Sequence, residues 1–290
     1  MLIYIDLLYF LRSPMSKNRS LRPILKWVGG KRQLLSSIRP LVPQEYDTYY
    51  EPFIGGGAVL FDLQPEKAVI NDSNTELINV YECIRDHPAD LVKLLEEHAA
   101  NNSSEYFYEI RSQDRERGYA QRPAPERAAR IIYLNKTCYN GLYRVNSAGQ
   151  FNTPYGRYAH PNIVNKELIE AMSTYLHGQI TILNEDYQTA LAAADEHSFV
   201  YLDPPYMPIS SSAYFTGYTE GGFGYKEQKR LKETCDDLRK RKVHFLESNS
   251  DCDDIRKLYS GYDITTVKAK RNVNSKANKR GAIKEVLIHD

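Results

Sequence analysis

Short apolar runs recur along the chain and predict a sheet of about seven strands. They are rich in Val, Ile, Leu, Phe and Tyr and lie at 48–50, 68–70, 179–183, 199–202, 243–246, 263–267 and 285–288. The runs around Val69, Val200 and Val243 are almost continuously apolar rather than alternating. Because a strand covered on both faces carries apolar side chains on both, these three runs are predicted to be central strands.

Segments with an apolar residue every three to four positions separate these runs. They predict helices at 74–85, 89–99 and 226–240. Strands alternating with helices are typical of α/β proteins, so we predict a doubly wound, Rossmann-like sheet.

The interval between the second and third predicted strands is too long for a single crossover connection. It predicts an inserted, mostly helical subdomain, within which turn residues between short aromatic pieces favour a β-hairpin over 140–158, turning at 147–149. The predicted organisation is a flexible N-terminal extension at 1–20, a main domain made of 21–76 and 174–290, and the inserted subdomain at 77–173.

Composition indicates a folded domain of ordinary type. Of the 290 residues, 42% are hydrophobic and 26% are charged, which excludes wholesale disorder. The four cysteines are scattered, with no CxxC pair and no His cluster at zinc spacing, so we expect no metal, no disulfide framework and a reducing cytoplasm. The apolar N-terminal stretch is short and contains Asp6, so no membrane span is expected.

Charge is distributed unevenly, although the net charge is only +1. Between Arg127 and His160 there is no acidic residue, and basic side chains alternate with aromatic ones. This mixture suits the phosphates and bases of a nucleic acid. A second basic run at 268–284 also lacks a carboxylate, and it fits an ordinary solvated loop equally well.

The first chemical motif is the segment 50–58, Tyr-Glu-Pro-Phe-Ile-Gly-Gly-Gly-Ala, where a strand ends in a glycine loop that opens a helix. In a doubly wound sheet this junction lies at the carboxyl ends of the strands, where nucleotide-like ligands bind. The glycines alone would also fit a tight turn. Asp72, at the end of the next strand, is placed to accept hydrogen bonds from ribose hydroxyls and favours a cofactor site.

The second motif, Asp203-Pro204-Pro205-Tyr206, directly follows the apolar run 199–202. Two prolines cannot continue a sheet and fix a rigid turn at the strand's end. A carboxylate and a backbone carbonyl held at a fixed separation can accept both N–H groups of an adenine amine, while Tyr206 offers a face for stacking. The alternative is a simple strand terminator.

Together with Lys26-Trp27-Val28-Gly29-Gly30-Lys31 and the segment 135–158, these motifs resemble DNA adenine methyltransferases of the Dam type, over about residues 22–290. Their order is that of the family's α group. The resemblance implies methyl transfer from S-adenosylmethionine to N6 of adenine in duplex DNA at GATC, by base flipping and direct displacement. It leaves S-adenosylhomocysteine and needs no metal.

The resemblance also implies roles for individual residues. The catalytic set would be Asp203, Pro204, Pro205 and Tyr206, and the cofactor-binding set Trp27, Lys31, Phe53, Gly55, Asp72, Asp186, Tyr187 and Asp203. Within these sets, Asp72 would hold the ribose and Asp186 would accept from the cofactor's adenine amine. Asp203 and the Pro204 carbonyl would bind the target amine.

The DNA-contacting residues that the resemblance implies are Lys26, Tyr139, Asn140, Leu142, Arg144, Pro154 and Arg157. Arg144 would pair with a guanine, while Leu142 and Pro154 would contact a thymine methyl. Tyr139 would fill the gap left by the extruded base. Arg157 is expected on a phosphate.

Two other functions stay open: methylation of another planar amine such as RNA adenine, and a catalytically inactive DNA-binding module of the same fold. Double-stranded DNA is the expected partner, and a cognate restriction endonuclease acting on the same site is a candidate one. A bacterial or phage protein of the cytoplasm is expected. Glu247 departs from the family pattern, because a small or apolar residue is expected there.

Overall fold

The computed structural model describes residues 17–208, 223–270 and 282–290. Most of the predicted N-terminal extension (1–20) and of the second basic run (268–284) lies outside these residues. Seven strands form one sheet in the order β3-β2-β1-β4-β5-β7-β6. They are β1 Thr48–Glu51, β2 Lys67–Asn71, β3 Gln179–Leu183, β4 Ser198–Leu202, β5 His244–Ser250, β6 Asp263–Lys270 and β7 Ala282–His289.

Each predicted apolar run falls on one of these strands, so the predicted sheet is confirmed. The pairs from β3 through β5 are parallel, and β7 runs antiparallel to both β5 and β6. Every residue of β1 and β4 is buried, as their positions in the middle of the sheet require. The carboxyl ends of β1, β2 and β4 therefore meet along one edge.

Helices connect the strands, and the three predicted helices fall on α3, α4 and α9. The helices are α1 Leu35–Ile38, α2 Ala58–Leu63, α3 Thr75–Asp86, α4 Pro88–Ala100, α5 Ser104–Ser112, α6 Ala124–Thr137, α7 Lys166–Leu176, α8 Tyr187–Ala190, α9 Tyr225–Lys240 and α10 Asp253–Leu258. Short 3₁₀ turns lie at Lys31–Gln33, Arg39–Leu41, Gln113–Arg115, Tyr119–Gln121 and Tyr139–Gly141. In the described ranges, no helix has the length and apolarity that a membrane crossing requires.

Two apolar clusters cover the two faces of the sheet. Tyr49 and Tyr201 belong to one cluster, and Tyr50, Val200 and Leu202 to the other. Since successive side chains of a strand point to opposite faces, the clusters lie on opposite sides of the sheet. The first contains apolar residues of α3 to α7 and the second those of α9, which confirms the doubly wound α/β fold. The boundaries of the inserted subdomain at 77–173 stay a prediction.

The predicted β-hairpin is smaller than expected. The chain reverses at 147–149, where Gly149 has a φ of +74°, but only the single antiparallel bridge Val145–Phe151 flanks the turn. The side chain of Asn146 accepts from Ala148 N (3.0 Å) and Gln150 N (2.9 Å). Two backbone hydrogen bonds, Asn146 N to Gln150 O (2.9 Å) and Asn152 N to Arg144 O (2.9 Å), join the two arms next to this bridge.

Candidate active site

The glycine loop and Asp72 meet at the carboxyl edge of the sheet. Asp72 follows β2, and its carboxylate accepts from Gly55 N (3.1 Å) and Asn74 N (3.0 Å). Burial raises the pKa of Asp72, and these two hydrogen bonds act against that effect. The motif prediction that brings Asp72 to the glycine loop therefore agrees with the geometry.

Gly55 is required at its position for two reasons. Its φ is +47°, and a Cβ there would lie 2.8 Å from Cδ1 of Trp27. Trp27 lies over the loop and stacks on Tyr143 with ring centroids 4.7 Å apart. The loop is thus closed on one side by an aromatic wall from the N-terminal motif.

Asp203 lies at the end of β4 and forms an ion pair with Lys31, with Nζ 2.6 Å from Oδ1. Ser248 of β5 donates to the same oxygen (3.0 Å). Burial raises the pKa of Asp203, while Lys31 and Ser248 oppose this shift. Among the described residues no donor binds Oδ2 of Asp203 or the carbonyl oxygen of Pro204. In the described part of the chain, both acceptors can therefore accept from a ligand.

Tyr206 is fixed beside this pair. Its hydroxyl donates to Glu285 of β7 (2.7 Å), and the Lys31 ammonium lies 4.6 Å from the centre of its ring. The ring is therefore held next to the two acceptors. A planar base could stack on it.

The predicted cofactor residues Asp186 and Tyr187 lie where β3 leads into α8. Phe53 packs on Tyr187 with ring centroids 5.2 Å apart. Arg230 of α9 binds both Asp186 oxygens, at 2.6 and 2.9 Å. Burial raises the pKa of Asp186, but the hydrogen bonds from Arg230 and from Gln188 N bring it below its usual value. A cofactor amine would have to share these oxygens with Arg230.

The buried side chain of Asn135 joins the N-terminal motif to the segment that carries most of the predicted DNA contacts. Asn135 binds the backbone N–H of Lys26 (2.9 Å), its carbonyl oxygen (2.9 Å) and the Gly141 carbonyl oxygen (3.0 Å). Tyr139 N donates to Pro154 O (2.8 Å), and the Tyr139 ring is 57% exposed. The N-terminal motif and the basic, aromatic segment thus form one surface.

The other four predicted contacts belong to the same segment, 135–158. Arg144 and Arg157 are exposed, and Asn140 and Arg157 have positive φ values of +58° and +55°. The Arg144 guanidinium donates to Asn152 Oδ1 (2.6 Å), which fixes its orientation. Leu142 is half-buried and its carbonyl accepts from Thr153 Oγ1 (2.6 Å).

Sequence reasoning missed Glu51, Ser248 and Arg230. Burial raises the pKa of Glu51 to about 8, although Tyr49 Oη (2.8 Å) and Leu60 N (3.0 Å) both donate to its Oε2. Ser248 belongs to a polar extension of β5 at the carboxyl edge. Polar residues directly after an apolar strand were the signal that identified Asp203, and the same signal could have identified Ser248.

The sheet order, the glycine loop and the strand-end carboxylates define a Rossmann-like methyltransferase. Residues 27–273 match the D12 class N6 adenine-specific DNA methyltransferases, and the chain belongs to this family. The resemblance to Dam-type enzymes is thereby confirmed. Membership implies S-adenosylmethionine as methyl donor and DNA as substrate. Across the described ranges, no group of three or more His, Cys, Asp or Glu residues could hold a metal ion.

Several curated relatives match nearly the whole chain. The type II methyltransferase M1.LlaDCHI of Lactococcus lactis subsp. cremoris is 46% identical over 276 residues, covering 94% of this chain and 97% of the relative. The type II methyltransferase M.MjaIII of Methanocaldococcus jannaschii is 39% identical, with 92% and 98% covered. The DNA adenine methylase of Escherichia coli (strain K12) is 33% identical, with 94% and 95% covered.

Proposed function

We propose that this protein methylates N6 of adenine within GATC sites of duplex DNA, after the adenine has been flipped out of the helix. The observation that carries the proposal is the pair of acceptors at the end of β4, Asp203 Oδ2 and the Pro204 carbonyl oxygen, to which none of the described residues donates. An adenine amine has two N–H groups and can donate one to each acceptor. Tyr206 would stack on the base.

These acceptors would favour direct transfer. Bound S-adenosylmethionine would supply a methyl group on a cationic sulfur. The adenine nitrogen bonds to the methyl carbon, the electron pair of the broken carbon–sulfur bond stays on sulfur in S-adenosylhomocysteine, and the nitrogen releases one proton to solvent. Positive charge develops on the nitrogen, so its hydrogen bonds to Asp203 and Pro204 strengthen in the transition state. Lys31 helps to keep Asp203 in the ionised, accepting form.

The residues around the glycine loop fit the cofactor. Gly55 has no side chain to block the space beside Trp27, and Asp72 offers a carboxylate to ribose hydroxyls. Phe53 and Tyr187 would form an apolar wall for the adenine of the cofactor. Aromatic faces such as Trp27 also suit a cationic sulfonium.

The surface around Lys26 suits DNA. Burial, together with the neighbouring cations Lys26 and Arg22, lowers the pKa of Lys136 to about 8. Phosphates relieve the repulsion among crowded cations of this kind, so the surface favours binding of DNA. Flipping a base costs roughly a few kcal/mol, and the exposed ring of Tyr139 could occupy the gap in the stack. Arg144 would then read a guanine, with Leu142 and Pro154 on a thymine methyl.

The first experiment measures methyl transfer from labelled S-adenosylmethionine to duplexes that contain GATC or single-base variants, followed by nucleoside analysis. We expect N6-methyladenine only in GATC. Asp203→Asn should lower kcat by roughly a hundredfold or more, because it weakens an acceptor that acts in the transition state. Binding of the cofactor should remain measurable by titration calorimetry. Cofactor binding without transfer by the unmodified protein would instead favour an inactive DNA-binding module.

A second experiment tests base reading. Arg144→Ala should relax discrimination at one guanine by about 1–3 kcal/mol. The matched control is Arg157→Ala, which should weaken binding to all sequences alike if this residue meets a phosphate. Base flipping predicts a rise in the fluorescence of 2-aminopurine placed at the target position. Equal effects of the two Arg variants on all duplexes would contradict the assignment of Arg144.

The cellular setting is also part of the proposal. Two relatives carry the name type II methyltransferase, and this name supports a cognate restriction endonuclease that acts on the same site. We propose that the protein works on DNA in the cytoplasm of a bacterium or of a phage-infected cell. Genomic DNA methylated by it should resist an endonuclease that cleaves GATC only when the adenine is unmethylated.

A further inference from the structure

Three polar side chains with no solvent exposure lie behind the turn that carries Asp203. They are Gln228 of α9 and Glu247 and Asn249 of β5. Glu247 occupies a position where an apolar residue is expected, in a strand that packs against the second apolar cluster. Polar groups buried this deeply destabilise the fold unless they are hydrogen-bonded, so their partners are informative.

The three side chains form one chain of hydrogen bonds. The two N–H groups of Asn249 Nδ2 donate to Glu247 Oε1 (2.9 Å) and to Gln228 Oε1 (2.9 Å). Gln228 Nε2 in turn donates to the Pro205 carbonyl oxygen (2.9 Å). Asn249 Oδ1 accepts from Met207 N (3.2 Å). Glu247 thereby fixes which way the Asn249 amide faces, and Asn249 does the same for Gln228.

The turn depends on such partners because of its two prolines. Pro204 and Pro205 have no N–H, so the turn has fewer backbone donors, and partners that bind its carbonyls and the Met207 N–H help to hold it. Gln228 binds the Pro205 carbonyl, and Asn249 binds Met207 N. By contrast, no donor from the described residues binds the Pro204 carbonyl, which can accept from a substrate.

We propose that Gln228, Asn249 and Glu247 are positioning residues for methyl transfer. They hold Pro205 and Met207 so that Asp203 Oδ2 and the Pro204 carbonyl stay at the separation that an adenine amine requires. This role rests on the proposed function, since without transfer to an amine no such separation is needed. Its signature is a loss of kcat without a matching loss of substrate binding.

The test compares kcat, KM for DNA and cofactor affinity in variants of the full chain. Gln228→Leu keeps the approximate shape of the side chain but cannot bind the Pro205 carbonyl. We expect kcat to fall roughly tenfold to a hundredfold, because small displacements of reacting groups have effects of this size. KM for DNA and cofactor affinity should change about twofold or less.

Asn79→Leu is the matched control. Asn79 is also a buried amide, and it donates to a backbone carbonyl, Ala124 O (2.9 Å), away from the site. Its replacement should lower thermal stability by an amount comparable to Gln228→Leu and leave kcat unchanged. Equal losses of kcat in both variants would show that general destabilisation, rather than positioning, explains the effect.

Glu247 provides an independent comparison if Gln228→Leu fails to fold. Glu247→Gln keeps an oxygen that can accept from Asn249 and should retain most of the kcat, whereas Glu247→Leu removes the acceptor and should lower kcat as Gln228→Leu does. Equal kcat values for the Gln and Leu variants would overturn the positioning role. Absence of adenine methylation by the unmodified protein would overturn the proposed function and this role with it.

Discussion

Replacing Glu51 with Gln should remove a large part of the pH dependence of the protein's stability. The Glu51 side chain is 2% exposed at the end of β1. Burial raises its pKa from 4.5 to about 8, and the hydrogen bonds from Tyr49 Oη and Leu60 N offset this effect only in part. The folded protein therefore holds a proton at neutral pH that the unfolded chain has released.

The sign and size of the effect follow from this difference in bound protons. The contribution of the protonated carboxyl to stability is fully present below about pH 4.5 and is lost as the pH rises through about 8. The free energy of unfolding should fall by roughly 5 kcal/mol over this window through Glu51 alone. In Glu51→Gln the amide cannot ionise, and its oxygen can still accept from Tyr49 and Leu60. The free energy of unfolding of the variant should therefore not show this part of the decrease with pH.

Urea unfolding of both proteins between about pH 5 and about pH 9 measures the effect. Subtracting one free energy of unfolding from the other cancels the titration of other groups, including Glu247, whose pKa burial raises to about 7. We expect the variant to gain several kcal/mol relative to the unmodified protein across this range. Parallel pH profiles would show that the Glu51 carboxyl is already ionised in the folded state, which would refute the reasoning from burial.

Two further substitutions test the packing around the site. Gly55→Ala would place a Cβ 2.8 Å from Trp27 at a positive φ, so cofactor affinity in titration calorimetry should fall about tenfold or more; unchanged affinity would mean that Trp27 moves aside freely. Asn135→Ala leaves the Lys26 backbone and the Gly141 carbonyl without their partner, so KM for DNA should rise about tenfold while cofactor affinity stays constant. A loss of both affinities would indicate that Asn135 supports the whole fold rather than the DNA surface.

The strands could be predicted because buried strands need apolar side chains, and this requirement is visible residue by residue. It also explains why the fifth predicted run was too short. The prediction ended the fifth run at Leu246, whereas β5 continues through Ser250 with every added residue buried. Glu247, Ser248 and Asn249 are tolerated there because partners on other elements satisfy them. Such partners are distant in sequence, so local polarity gave the wrong end for the strand.

Prediction of the site from the sequence is limited in the same way, because contacts between distant residues are not visible in local patterns. The motifs placed Asp203, Asp72 and the glycine loop at one edge, since the carboxyl ends of parallel strands meet. No spacing rule predicts that Lys31 pairs with Asp203, or that Arg230 of α9 binds Asp186. These pairs join residues that are distant in sequence, and the packing of other elements around the sheet brings them together.

Comparison of the two buried carboxyls, Glu51 and Glu247, distinguishes the effect of burial on stability from an effect on catalysis. In Glu51 and Glu247 alike, burial favours the protonated acid, and Gln should relieve the resulting loss of stability at high pH in both. Only Glu247 is connected by hydrogen bonds to the turn after Asp203, through Asn249. Glu247→Leu removes the ionisable group and the acceptor together. It should therefore raise stability at high pH and lower kcat. If the turn held its geometry without that acceptor, Glu247→Leu would be both more stable at high pH and fully active, and a buried carboxyl there would have no role in catalysis.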